Sequence, residues 1–540
     1  MAKGLYNLDV VYTDLKDMIN GVEARFGQDT AFKYEKKGVK TEITYTRFKN
    51  DIDAFGTYLF NNGFKGDKKI ALLGENSYEW VMTYFAVVNG GNVIIPLDKE
   101  LKANELLVLL NASEADMLVY SKQKQSVVDE MVENGLEVKN LLCITEIGEK
   151  ISEGTKSIED GNTEYLDCKI DVEKMCAIIY TSGTTGTPKG VMLNHKNLTR
   201  DAYLSISCSK IPRDCVAVLP LNHTFGFMAC VLCQIWMGYS TFITSSLKTF
   251  MRDVKEHKPG HISVVPLFVE SIYKNIWKNA EKQGKAGLLK KLIKVSNVMR
   301  KVGIDMRRTL FKTVLDNFGG NLEMIISGGA PIDDIYMKGL EDFGITIING
   351  YGITECSPIV ALNRVECVKL GTVGKAIPTV QVKIENPNED GEGEVWVKGD
   401  IVMMGYYNNE EATNEVLKDG WFNTGDIGQI IDGDFLKITG RKKNLIILAN
   451  GKNVYPEELE FLVSHVENVT ECLVYEEDDM IAVEIYTDVE ENREEVKENI
   501  KKGIQELNET LASYKQIRKI KFRSVEFEKT TTKKIKRQYK

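Results

Sequence analysis

A chain of 540 residues is longer than one hydrophobic core can serve, so roughly three or four domain-sized units are expected. Its 43% hydrophobic and 27% charged residues are ordinary for a soluble globular protein, and a net charge of −9 argues against nucleic acid as a partner. The opening MAKGLYNLDVVYTDLKDM carries acids and no apolar run, unlike a signal peptide. Ten scattered cysteines without a disulfide framework point to the cytosol.

In chain order, KIALLG (69–74) reads as a strand, EWVMTYFAVVNGG (79–91) as an apolar helix ended by glycine, and NVIIPL (92–97) as a second strand. That is a βαβ unit, which implies a parallel sheet covered by helices. From Cys215 to Ser246 there is no Asp, Glu, Lys or Arg. Internal Gln234, two glycines and the polar Asn222-His223-Thr224 favour a buried helix and strand beside a site over a membrane span. Cys230 and Cys233 are spaced C-x-x-C, but bulky apolar neighbours make them a buried helix face rather than a redox or metal pair. ISVVPLF (262–268) and MIISGGAP (324–331) read as short buried strands running into turns. From about Gly371 the pattern alternates on a period of two, giving an antiparallel, barrel-like portion. After GRKKN (440–444) comes a smaller α+β unit with the helix PEELEFLVSHV, the strands of ECLVYEEDDMIAVEIY and a charged helix near 492–509.

Five polar turns punctuate this pattern. The first, YTSGTTGTPKG, joins two apolar strands. It is not a Walker loop, because Pro188 stands where the second glycine is needed and Gly190, not a hydroxyl residue, follows Lys189. Its crowded backbone N–H groups, hydroxyls and terminal lysine still suit an anion. SGGAP (327–331) exposes backbone at two glycines, which lets a flat ring approach. NGYGITE (349–355) offers an aromatic face, a hydroxyl and a carboxylate. GWFNTGD (420–426) ends in an acid expected on a turn, and GRKKN supplies Arg441. Together these are the parts a nucleotide needs: a surface for the base, an acid for ribose, a phosphate loop and a carboxylate for magnesium.

The set resembles the acyl-adenylate-forming superfamily of AMP-binding enzymes over nearly the whole chain and in the expected order. Within it, DGWFNTGDIG, GRKKNLIILANGKNVYPEELE and ISGGAP are most similar to bacterial long-chain fatty acid CoA ligases. The resemblance implies an α/β fold: a large N-terminal domain (1–440) of doubly wound sheets plus a distorted β-barrel portion, a hinge (441–444) and a small mobile α+β domain (445–540). It implies ATP and CoA as co-substrates and Mg²⁺ as cofactor. A carboxylate attacks the α-phosphate, pyrophosphate leaves, and a thiol takes the acyl group from acyl-AMP.

By the same resemblance, Thr181, Ser182, Gly183, Thr184, Thr185, Gly186 and Lys189 steady the departing phosphates. Gly328, Gly329, Ala330, Tyr351 and Gly352 flank adenine. Thr354 contacts the α-phosphate, Glu355 ligates Mg²⁺, and Asp426 and Arg441 hold the ribose. His223 stands at the acyl and pantetheine junction. Lys443 is the hinge residue and Gly451 lines the thiol tunnel. Lys534 reaches the α-phosphate. The tail KTTTKKIKRQYK has Lys533 where the family commonly has glycine, so the identity of the tail lysine carries a one-residue ambiguity.

Carrier-protein or aryl-acid ligation, and a non-catalytic ATP-binding regulator, are the alternatives. A homodimer is left open. Peripheral membrane contact is expected of 288–312, where Leu288, Leu292, Val295, Met299 and Val302 recur at helical spacing among lysines and arginines.

Overall fold

The structure is a computed structural model, and it describes residues 6, 9–181, 188–244, 246–448, 452–529 and 535–537. The chain forms two compact units, Met1–Gln381 with Lys398–Phe422 and Val382–Val397 with Asn423–Lys540. The dividing lines therefore fall earlier than residue 440.

The first unit holds two twisted sheets. In one, the strands run in the order Gly405–Tyr406, Lys189–Asn194, Met175–Thr181, Val93–Leu97, Lys69–Leu73, Met117–Tyr120 and Asn140–Cys143, parallel from Met175–Thr181 onward. The expected βαβ unit is present. Ser77 caps its helix Tyr78–Val88 by accepting from Trp80 N–H, and Ile70–Leu73 are fully buried. In the other sheet, Thr346–Gly352, Met324–Ser327, His261–Val264, Cys215–Ala217, Thr241–Ile243 and Thr30–Lys36 lie side by side and parallel. A large cluster around Ile262, Ile325, Phe343 and Ile347 packs beneath that sheet.

ISVVPLF differs from its strand reading. The strand stops at Val264 and Pro266 opens the helix Pro266–Lys282, where its fixed φ and missing N–H suit the first turn. The uncharged stretch becomes the continuous helix Thr224–Met237, capped by left-handed Gly238, followed by the strand Thr241–Ile243. Cys230 and Cys233 are buried on it. Among the described residues, no helix is long and apolar enough to cross a membrane.

The basic stretch 288–312 is a helix only over Ala286–Lys301, followed by two single turns, Arg307–Leu310 and Lys312–Leu315. It has two apolar faces. Leu289, with Leu292 and Ile293, packs on the core. Leu288, Val295, Val298 and Val302 stand outward, 52–73% exposed.

In the second unit, Gln381–Glu385, Gly393–Lys398, Trp421–Ile431 and Phe435–Arg441 run side by side in that order. The α+β portion follows, with strands Glu471–Glu477, Met480–Tyr486 and Ile517–Phe522. The helices Pro456–Val463 and Arg493–Thr510 bury Leu459, Ile500 and Ile504 in its core. Residues 535–537 are tied down: Ile535 bridges Lys529, Lys536 N–H donates to Glu528 O at 2.7 Å, and Arg537 pairs with Glu460.

Candidate functional site

Ligands of open α/β sheets collect at the C-terminal ends of the strands. Here both sheets of the first unit deliver polar residues to such ends. Cys215–Ala217 leads to His223, Met324–Ser327 to Gly328 and Gly329, and Thr346–Gly352 to Thr354 and Glu355. Val93–Leu97 leads to Asp98, and Met175–Thr181 ends at Thr181, where the polar stretch begins.

Several of these come into contact. His223 Nε2 lies 3.8 Å from Asp98 Oδ2, joining strand ends of the two sheets. Thr224 and Thr354 hydroxyls are 3.4 Å apart. A Cβ on Gly328 would sit 3.1 Å from the Phe225 ring, so glycine leaves room for that ring. Gly329 has φ +84°, and a Cβ on Gly352 would meet Pro358 O at 2.0 Å; neither position tolerates a side chain. Tyr351 is half-buried in its strand and Ala330 is exposed. Asn76 braces the turn before His223, donating to Leu219 O at 2.8 Å and accepting from Leu221 N–H at 3.1 Å.

Thr181 pairs with Lys189 across antiparallel strands, as the strand–loop–strand reading requires. Ser182, Gly183, Thr184, Thr185 and Gly186 lie outside the described residues, as do Gly451, Lys533 and Lys534. Lys189 Nζ sits 4.8 Å above the Tyr406 ring, a cation–π distance. The same Tyr406 donates its hydroxyl to Glu355 Oε1 at 2.9 Å, with Glu355 only 7% exposed. Tyr406 thus links the lysine and the carboxylate. Sequence reading missed it, because only the pairing of Gly405–Tyr406 with Lys189–Asn194 brings it there. Asp98, Asn76 and Phe225 were missed for the same reason.

In the second unit, Asp426 is not on a turn. It lies within the strand Trp421–Ile431, directly across from Arg441, after Gly425 at φ +69° has turned the backbone. Arg441 Nε lies 2.7 Å from Asp426 Oδ1, and the aspartate side chain is 5% exposed. This pair is a preformed, oriented carboxylate suited to accept from hydroxyls. Burial first, and then the like charges of Arg441 and Arg537, lower the Lys443 ammonium from its ordinary value.

Burial raises the Glu460 carboxyl to about 7, against the pull of Arg537 and of Val474 N–H at 2.7 Å. A carboxyl raised from its ordinary 4.5 binds a proton in the folded chain that the unfolded chain has released. Its contribution to stability is therefore full below about pH 4.5 and lost as pH rises through 7. Between those limits the slope is up to about 1.4 kcal/mol per pH unit. Glu460→Gln should flatten it, as thermal unfolding of both proteins from pH 5 to 8 would show; parallel profiles would refute it.

The fold agrees with the comparisons. The chain belongs to the AMP-binding enzyme family, which matches residues 21–407. Within it the chain belongs with the acid–CoA ligases. It is 30% identical to a long-chain-fatty-acid–CoA ligase of Mycobacterium bovis over 449 residues, 78% of this chain and 73% of that one. It is 29% identical to human long-chain-fatty-acid–CoA ligase 1 over 473 residues, 81% of this chain and 68% of that one. The fold also matches an anthranilate CoA ligase solved with anthranoyl-AMP, at TM-score 0.79 and 20% identity, covering 97% of this chain and 96% of the other. An o-succinylbenzoate CoA synthetase from Bacillus subtilis, solved with ATP and magnesium, aligns at TM-score 0.73 and 21% identity over 96% and 98%.

Proposed function

We propose that this enzyme activates a medium- to long-chain fatty acid with ATP, releases pyrophosphate, and transfers the acyl group from acyl-AMP to CoA. What carries the choice of acid is the apolar lining of a small cavity, about 10 Å³, beside His223. Tyr84, Pro96, Ile179, Leu193, Leu198, Phe227 and Leu232 line it; among the described residues no charged side chain lines it, and Asn222 and Thr224 add polar groups. Such walls favour an alkyl chain over a polar acid. The fatty-acid ligases among its relatives support the same reading.

The carboxylate is already a nucleophile, so the task is to bring an anion to a polyanion, which calls for preorganised positive charge and N–H donors. In this reading the loop ending at Lys189 holds the leaving phosphates and Thr354 the α-phosphate. Gly328, Gly329, Ala330, Tyr351 and Gly352 leave a flat slot for adenine, and the Asp426–Arg441 pair takes the ribose hydroxyls. Mg²⁺ binds through one or two carboxylates, keeping its other positions for water and phosphate, and the buried Glu355 fits that requirement. When bound, the ion neutralises phosphate charge. Lys443 serves as the hinge between adenylating and thioester-forming arrangements, and Gly451 keeps the thiol path clear.

Pyrophosphate exchange with a panel of acids, followed by product analysis with CoA and with a carrier protein, tests the assignment. Exchange with fatty acids and formation of acyl-CoA is the expected result. Exchange with aryl acids alone, or with no acid, would replace it by the aryl-ligase or the regulator reading.

The helix Ala286–Lys301 supports contact with an anionic membrane. Its outward Leu288, Val295 and Val298 are flanked by Lys291, Lys294 and Lys301, for which no carboxylate partner occurs among the described residues. A second copy of the chain would set those lysines against themselves. Co-sedimentation should be stronger with anionic than with neutral vesicles, and Lys291→Glu/Lys294→Glu should abolish the difference. Equal binding to both vesicles defeats the idea.

A further inference from the structure

The helix that carries the His223 loop is irregular. Thr224–Phe227 is α-helical, Met228–Leu232 is a π-helix, and Cys233–Met237 is α-helical again. A π-turn inserts one residue, has poorer hydrogen bonding, and persists where the surroundings hold it.

Here dedicated side chains do so. Gln234 Nε2 donates to Ala229 O at 2.8 Å, and the Thr241 hydroxyl donates to Cys230 O at 2.9 Å. Both acceptors belong to the π-turn. Gln234 is held in turn by His261, whose Nε2 lies 3.1 Å from the amide nitrogen. The histidine tautomer is set by chemistry. Pro212 O, 2.8 Å from Nδ1, can only accept, so Nδ1 carries the hydrogen and Nε2 receives the amide N–H. Burial lowers the His261 imidazole to about 4, so it is neutral at pH 7. Gln234 Oε1 is buried with no partner among the described residues. A buried amide left half-satisfied is costly, and a leucine would pack there without that cost. Its nitrogen's grip on the π-turn is what the glutamine provides.

The π-turn forms the end wall of the apolar cleft. Phe227, Met228 and Leu232 line it, and the Phe227 ring packs directly on the Tyr84 ring, centroid to centroid 4.0 Å. The cavity that remains is about 10 Å³, room for no more than one water. A long alkyl chain needs one wall to move. The opposite wall includes Pro96, Ile179 and Leu193, which sit on hydrogen-bonded strands. The π-turn has α geometry as its alternative, held off by the side-chain hydrogen bonds to Ala229 O and Cys230 O. Returning it to α geometry rotates the residues before it by one position, about 100°, and swings Phe227 away from Tyr84.

We propose that Met228–Leu232 is an adjustable end wall whose π-to-α change sets how far an acyl chain enters, and that Gln234, His261 and Thr241 are positioning residues that set the balance. This rests on the fatty-acid reading above. Gln234→Met keeps the volume and removes the brace. Loss of one such hydrogen bond should shift the balance roughly fivefold toward the open form. The kcat/KM for palmitate relative to hexanoate in pyrophosphate exchange should therefore rise about fivefold, with KM for ATP and exchange with hexanoate retained. Thr241→Val should move the ratio the same way, and Thr241→Ser, which keeps the hydroxyl, should not. A ratio that is unchanged or lowered, or an equal loss with both acids, overturns the proposal. Wild-type protein that exchanges with neither acid overturns the fatty-acid reading itself.

Discussion

Lys534→Ala is expected to lower acyl-AMP formation by about 10²–10³-fold, the usual effect of removing one preorganised donor from a developing charge. Attack on the α-phosphate concentrates negative charge between two anions. The proposed duties of Lys189 and its loop are to the leaving pyrophosphate, so the reacting centre needs a second cation. Composition alone would make the tail a dispensable solvated end, yet the residues just after Lys534 are anchored: Ile535 and Lys536 by backbone bonds, Arg537 by Glu460 and by Val474 O at 3.3 Å. Supplied with ready-made acyl-AMP and CoA, Lys534→Ala should still make acyl-CoA at near wild-type rate. Lys533→Ala should leave both steps intact, which resolves the one-residue ambiguity. Equal damage to both half-reactions, or to neither, would remove Lys534 from this role.

What the sequence displayed and what it hid divide along a physical line. Turns that need special backbone were legible, because glycine and short polar residues are required where a chain bends near a ligand. Gly329 has a left-handed φ of +84°, and Gly352 lies too close to Pro358 O for a side chain. Strands with unbroken apolar runs were legible too, as in Ile70–Leu73. Contacts made by sheet pairing were not. Tyr406 is 51 residues from Glu355 and Asp98 is 125 from His223, distances at which no local pattern speaks. Asp426 was read as a turn residue because GWFNTGD has turn composition, but its cross-strand partner Arg441 holds it inside a strand. The π-turn was invisible for a related reason. FMACVLCQIW shows only apolarity, and the widening of the helix is fixed by Gln234, Thr241 and His261 acting across the fold.

Glu355→Gln should raise the magnesium concentration needed for half-maximal adenylation by about 10²-fold, and Tyr406→Phe by about tenfold, the range typical for groups that orient a metal ligand. The two variants separate charge from placement. Glutamine keeps the shape of Glu355 and can still accept from Tyr406, but it cannot supply the charge that a hard cation requires of its few protein ligands. Phenylalanine at 406 keeps the charge and the ring beneath Lys189, and removes only the hydroxyl that fixes Oε1 at 2.9 Å. A carboxylate that is only 7% exposed is costly to keep ionised without compensation, and the hydroxyl supplies part of it. Calorimetric titration of ATP binding against magnesium gives a readout independent of turnover. Nucleotide affinity in Glu355→Gln should lose most of its magnesium dependence, and Tyr406→Phe should retain it with the midpoint displaced. An unchanged magnesium profile in Glu355→Gln would show that this carboxylate serves the fold alone, through its bond to Tyr406.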